Sequence, residues 1–116
     1  MSFTIGIDFG TNTVRAIVVD CSNGREVGSS VVNYRSGRYG VLLDPRDHHV
    51  ARQHPGDNFY GLQNSVSGAM AQASKDPSFS ADQVIGIGVD TTGSSPLPTH
   101  PYKRAANPRV AHRLFA

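Results

Sequence analysis

Ile5-Gly-Ile-Asp8-Phe-Gly10-Thr11-Asn12-Thr13-Val-Arg15-Ala-Ile-Val-Val-Asp20 reads as two apolar strands joined by a short polar turn. Phe3, Ile5 and Ile7 alternate with Thr4, Gly6 and Asp8, which is the period of a strand, and Val14 to Val19 is a β-branched run broken only by Arg15 and Ala16. In the turn, Gly10 leaves no side chain between its amide and a ligand, so consecutive N–H groups can converge on phosphate oxygens. Thr11 and Thr13 add hydroxyl donors, and Arg15 adds positive charge nearby. Asp8 ends the first strand, where a carboxylate can hold Mg²⁺ or its water shell beside phosphates, since such cations take oxygen ligands. The pattern suits a nucleotide-dependent phosphotransferase. The plainer alternative is a hairpin whose Gly, Asn and Thr serve turn geometry alone.

Outward from this hairpin, Ser22-Asn23-Gly24-Arg25 is a turn and Val27 to Tyr34 a third strand, so the chain opens as an antiparallel meander. Ser36 to Pro55 is broken by Pro45, Pro55 and several glycines and is expected to be irregular; the cluster Val41-Leu42-Leu43 is too short to assign. Asp57 or Asn58 can cap a helix in which Phe59, Leu62, Val66, Ala69 or Met70, and Ala73 recur at three- and four-residue spacing and form the packing face. Asp76-Pro77 stops that helix, and Val84-Ile85-Gly86-Ile87-Gly88-Val89 is a further strand ending at Asp90. Three strands, a helix and a strand are the start of a ribonuclease-H-like α/β domain. With one helix, part of such a sheet lacks cover, which predicts exposed apolar surface, an unpaired edge and self-association.

A chain of 116 residues is a prior for one small domain. No apolar stretch follows a basic start, so neither a signal peptide nor a membrane span is expected, and the expected compartment is the cytoplasm. Cys21 is the single cysteine, which leaves no internal disulfide or thiolate zinc cluster. The net charge of +2 is unevenly spread: up to Pro98 carboxylates outnumber basic residues, whereas from Thr99 onward Lys103, Arg104, Arg109 and Arg113 stand without any acid. That basic tail, with Tyr102 and Phe115 as its aromatic residues, forms no recognition module and argues against nucleic-acid binding. Asp47-His48-His49 with His54 could be drawn as a metal site, but solvated or core-edge histidines are commoner in a Pro-rich loop, and His54-Pro55 more simply sets the entry into the helix.

Three anchors now stand in order: Ile-Asp8-Phe-Gly10-Thr11 with Arg15, Gln53-His54-Pro55-Gly-Asp57 before the helix, and Ile85-Gly-Ile-Gly-Val-Asp90-Thr91-Thr92-Gly93-Ser94 after it. Together they resemble the N-terminal part of the L-ribulokinase family of FGGY carbohydrate kinases, over about residues 3–98. The resemblance implies an actin-like ATPase fold, transfer of the ATP γ-phosphate to a sugar hydroxyl, L-ribulose as the sugar, and a place in arabinose catabolism. Carried over by position, Asp8, Gly10, Thr11, Asn12, Thr13 and Arg15 match the family's first phosphate loop, with ATP and Mg²⁺ as the implied cofactors and Asp8 on the metal side. Thr92, Gly93 and Ser94 match a segment lining the sugar pocket; a strand-ending turn is the alternative reading.

Residues 99–116 depart from the family, so residues 1–98 are expected to be the N-terminal part of a kinase's first domain, followed by an unrelated basic tail. The family's catalytic aspartate and second domain lie beyond this match. Phosphoryl transfer needs several parts acting together, so the expectation is a truncated kinase segment inactive alone. Two alternatives remain: a non-catalytic binding or interaction protein built on the actin-like hairpin, and a different actin-like ATPase. The second and third anchors favour the sugar kinase over the last.

Overall fold

The computed structural model describes residues 1–93. Ser94 and the basic tail 99–116 lie outside the described residues. The chain forms β1 (Phe3–Phe9), β2 (Thr13–Asp20), β3 (Glu26–Asn33), β4 (Leu42–Asp44), β5 (Asp47–Arg52), α1 (Pro55–Ala73), a short 3₁₀ turn (Ala81–Gln83) and β6 (Val84–Thr91). β1, β2 and β3 pair antiparallel as expected, and β6 returns to lie parallel to β1, giving one sheet in the order β3-β2-β1-β6. The crossover through α1 is what allows a parallel neighbour.

The register explains the core. Phe3, Ile5 and Ile7 lie on the same face as Ala16 and Val18, and with Val14 all six are buried beneath α1. Gly24, at φ +74°, takes the left-handed position of the β2–β3 turn, and Asp20 accepts from the Ser22 amide and hydroxyl to close it.

Three expectations need correction. First, the segment after Ser36 is not wholly irregular: β4 and β5 pair antiparallel around Pro45-Arg46, and Asp44 accepts from the Arg46 amide to shape the turn. The strands are too short and too exposed to leave a periodic trace in the sequence. Second, the helix cap is His54, whose Nδ1 accepts from the Gly56 amide at 2.9 Å, with Pro55 in the first turn. Asp57 instead turns inward, is buried, and accepts from the amide and hydroxyl of Ser36 at 3.0 and 2.9 Å.

Third, the centre of the helix's packing face is a stripe of small residues, Gly61, Ser65, Ala69 and Ala73, four apart. Leu62, Val66 and Met70 flank it half-buried, and Phe59 is 40% exposed. The reason is close approach. A β-carbon on Gly28 of β3 would overlap the Ala69 carbonyl oxygen, and one on Gly61 would overlap Val14. Larger residues on the stripe would hold the helix off the sheet, so the bulky side chains that mark the helical period sit beside the contact line.

Among the described residues the opposite edge of the sheet has no such cover. Ile85, Ile87 and Val89 of β6 are 70, 64 and 64% exposed, on the face that carries Ile5 and Ile7 next door. The uncovered apolar surface and unpaired edge expected from a single helix are thus present among the described residues.

Candidate functional site

Asp8 sits at the carboxyl end of β1, exposed, opposite Arg15 on β2 and in register with Asp90 on β6. In a pleated sheet these register partners share a face, here the one away from α1. An exposed carboxylate flanked by a guanidinium and a second carboxylate offers oxygen ligands for a hard cation and positive charge for an anion beside it. Asp90 also accepts from the Thr91 amide at 2.8 Å, which fixes its carboxylate at the strand end.

The β1–β2 hairpin is held firmly by its own chain. The Gly10 amide donates to the Thr13 carbonyl at 2.8 Å, which closes the turn and occupies that N–H. Asn12 is engaged at both ends: its carbonyl accepts from the Tyr34 amide at 2.9 Å, and its side-chain amide donates to the Tyr39 carbonyl at 2.7 Å. Gln53 donates from Nε2 to the Thr11 carbonyl at 2.9 Å. Gly10 and Asn12 therefore act on hairpin shape, whereas the exposed Thr11 and half-buried Thr13 keep hydroxyls at the turn.

Sequence reasoning did not give Gln53 or Tyr39 a place at this turn. Tyr39 is an exposed residue in the left-handed region at φ 54°, between Gly37 at φ 53° and Gly40 at φ 83°. A non-glycine residue holds that conformation only where its surroundings over-determine it, and here the Asn12 clamp does so. The nearby glycines were the only sequence sign of this bend.

The second loop meets the first at the same sheet end. Phe9 and Thr91 are register partners, and beyond them the Thr92 amide and hydroxyl both donate to the Phe9 carbonyl, at 3.0 and 3.2 Å. Two segments 83 residues apart in sequence are thereby tied side by side, with Thr92 and Gly93 exposed next to the hairpin. No atom of the described residues stands within 4 Å of where a β-carbon on Gly93 would be, and its backbone carries no side chain of its own to bar a ligand.

In the histidine loop the candidate ligands make local contacts. Asp47 accepts from the His49 amide, the His48 and His49 rings lie 4.1 Å apart at 40°, and His54 caps the helix. Among the described residues no group of three or more His, Cys, Asp or Glu side chains converges as metal ligands. Among them too, no helix is long and apolar enough to cross a membrane.

No family model matches the sequence. Individual relatives do. The ribulokinase of Vibrio parahaemolyticus is 42% identical over 94 residues, covering 81% of this chain and 16% of that protein, and the ribulokinase of Halalkalibacterium halodurans is 41% identical over 100 residues, covering 83% and 17%. The chain thus spans about a sixth of the length of these relatives. Among solved structures, a xylulose kinase from Brucella ovis superposes with a TM-score of 0.60 at 20% identity, over 77% of this chain and 16% of that one. The ligand-bound xylulose kinase from Lactobacillus acidophilus gives 0.53 at 19% identity, over 78% and 16%. At such identity the two structures speak for the fold, that of sugar kinases with an actin-like ATPase architecture, of which this chain carries a part.

Proposed function

We propose, from its similarity to ribulokinases over about four-fifths of its length, that this chain is part of an FGGY carbohydrate kinase and carries the phosphate-binding hairpin and one wall of the sugar pocket of an ATP-dependent kinase for L-ribulose. The observation that carries this reading is the tie between the two loops: Thr92 bonded twice to the Phe9 carbonyl puts a small-residue loop beside the hairpin, as transfer from a nucleotide to a sugar requires.

In this reading Asp8 would hold Mg²⁺ or its water shell, with Asp90 adding negative charge beside it. A magnesium ion held by one or two carboxylates plus phosphates fits this donor set better than an all-protein cage. When bound, Mg²⁺–ATP supplies the phosphoryl group and neutralises charge developing on it. Thr11, Thr13 and Arg15 contact phosphate oxygens, Gly10 and Asn12 shape the turn, and Thr92, Gly93 and Ser94 admit the sugar closely. The protein works in the cytoplasm, in arabinose catabolism.

The described residues bind rather than turn over. One part of a phosphotransfer site does not keep a proportional share of the rate of the whole. The apolar face left open on β6 favours a second reading, a binding or interaction protein that self-associates through that face.

Isothermal titration with Mg²⁺–ATP tests the main reading. We expect weak binding that is lost with EDTA and in Asp8→Asn, and no ribulose phosphate in a coupled assay of this chain alone. Binding that survives both changes, or none at millimolar nucleotide, overturns it.

A further inference from the structure

In a planar trans peptide the carbonyl of one residue and the amide of the next point in opposite directions, so a partner that captures the first also aims the second. The β1–β2 turn shows this at its start. The Phe9 carbonyl accepts from Thr92, which follows β6, and the Gly10 amide points the other way, to the Thr13 carbonyl of β2. Two residues on, the Thr11 carbonyl accepts from Gln53 Nε2 at 2.9 Å, which turns the Asn12 amide away from Gln53. Among the described residues that amide has no acceptor.

Resting on the reading of this hairpin as a phosphate site, we propose that Gln53 is a positioning residue: by holding the Thr11 carbonyl it presents the Asn12 amide to a phosphate oxygen of the nucleotide. Turned by half a rotation, the same peptide would offer the anion the Thr11 carbonyl oxygen instead. A donor to the ligand would become an acceptor that repels it.

The rest of the turn does not choose between these two orientations. Gly10 is anchored by its amide, and Asn12 by its carbonyl, which accepts from the Tyr34 amide, and by its side chain, which donates to the Tyr39 carbonyl at 2.7 Å. Opposite rotations about ψ of Thr11 and φ of Asn12 flip the peptide between them and leave the flanking atoms in place, so every one of these anchors survives the flip. Of the described contacts, the Gln53 bond alone distinguishes the two states.

Gln53 is well placed to hold one of them. β5 ends at Arg52 and α1 begins at Pro55, so two residues join strand to helix. Pro55 is buried and keeps His54 extended, at φ −89° and ψ 119°, while the His54 ring caps the Gly56 amide at 2.9 Å. Gln53 thus projects from a junction fixed on both sides, and it reaches a turn 42 residues earlier in the chain. The side-chain chemistry fits as well. A glutamine amide donates to a carbonyl without adding charge, whereas a carboxylate of the same length could only accept and would push the Thr11 oxygen away.

Nitrogen-15 correlation spectra of the full chain, titrated with Mg²⁺–ATP, test this. In the parent the Asn12 amide proton should move downfield as nucleotide binds. Gln53→Met keeps the length of the side chain and loses its donor; it should lose that displacement and bind nucleotide about ten-fold more weakly, as expected for one hydrogen bond to a charged group. Its circular dichroism and the unbound positions of its β1 and β2 amides should match the parent, so the loss is not one of folding. Gln53→Ala should repeat the result. An Asn12 displacement that persists in either variant at saturating nucleotide overturns the role of Gln53 and leaves the hairpin as a phosphate site. So does a parent in which the other hairpin amides respond and Asn12 does not. If no hairpin amide moves in the parent at millimolar nucleotide, the phosphate reading fails and the role of Gln53 with it.

Discussion

Gly28→Ala tests the close packing on which the fold depends. Gly28 lies on β3 opposite Val18, fully covered by the last turns of α1. An added β-carbon would overlap the Ala69 carbonyl oxygen and stand 2.8 Å from the Ala73 nitrogen and 3.0 Å from its β-carbon. The first two are backbone atoms, so no side-chain rotation relieves the clash and the end of the helix must lift by roughly 1 Å; overpacking of this kind costs about 1–3 kcal/mol. Lifting also loosens the bond from the Ser29 amide to Gln72 Oε1, worth about 0.5–1.5 kcal/mol. Against this, alanine narrows the unfolded ensemble and returns about 0.4–1 kcal/mol. The net expectation is a loss of about 2–3 kcal/mol, out of the roughly 5–14 kcal/mol usual for a domain of this size. With a urea slope of about 1–1.5 kcal/mol per molar, the midpoint followed by circular dichroism should fall by about 2 M. Gly88→Ala is the control: no atom of the described residues stands within 4 Å of the added carbon, and its midpoint should hold or rise. If Gly28→Ala unfolds within about 0.5 kcal/mol of the parent, the helix does not rest on the sheet as closely as these distances require.

Acid should weaken the tie between the β2–β3 turn and the end of α1. The amide and hydroxyl of Ser78 and then the Arg25 guanidinium hold the Asp76 carboxyl down to about 2, from an ordinary 3.8. Because the folded value is depressed, its stabilisation is present above pH 4 and is lost as pH falls from about 4 towards 2; thermal midpoints should drop over that window and drop less in Asp76→Asn. Replacing Asp57 by Ala leaves the Ser36 amide and hydroxyl without their acceptor, a cost of about 1–3 kcal/mol that urea unfolding should register. Gln53→Ala removes the pin on the Thr11 carbonyl, so amide hydrogen exchange at residues 10–13 should quicken while exchange in β1 and β2 stays slow.

The strands and helix of the main sheet were legible because their signals are local. Alternation in Phe3 to Ile7, the β-branched run of β2, Asn23-Gly24 at the next turn and the apolar run before Asp90 each act within a few residues. The helix was legible in place and partly misread in orientation. Ala69 and Ala73 are buried as the period predicts, yet Gly61 and Ser65 share their contact line while Phe59, Leu62, Val66 and Met70 sit beside it, because small residues are chosen by the distance between two backbones and leave little mark on a hydropathy pattern. The His54 cap and the inward Asp57 were exchanged for a similar reason. An aspartate near a helix start satisfies helix amides by default, and only the buried Ser36 loop arriving from elsewhere gives it another partner.

The same division runs through the candidate site. By itself the sequence determined that the chain starts with a strand–turn–strand unit rich in groups suited to phosphate, that a small-residue loop follows its last strand, and which kinases it resembles, since residue type and short spacing carry all of that. Only the tertiary structure decided that β6 lies parallel to β1 and so sets Asp90 beside Asp8 and Thr92 against Phe9, that Asn12 and Gln53 spend their amides on the hairpin, and that Ile85, Ile87 and Val89 face outward. Those facts depend on which strands become neighbours and which face a helix covers, and pairing between segments 83 residues apart is set by packing over the whole sheet, of which no short stretch of sequence holds a record.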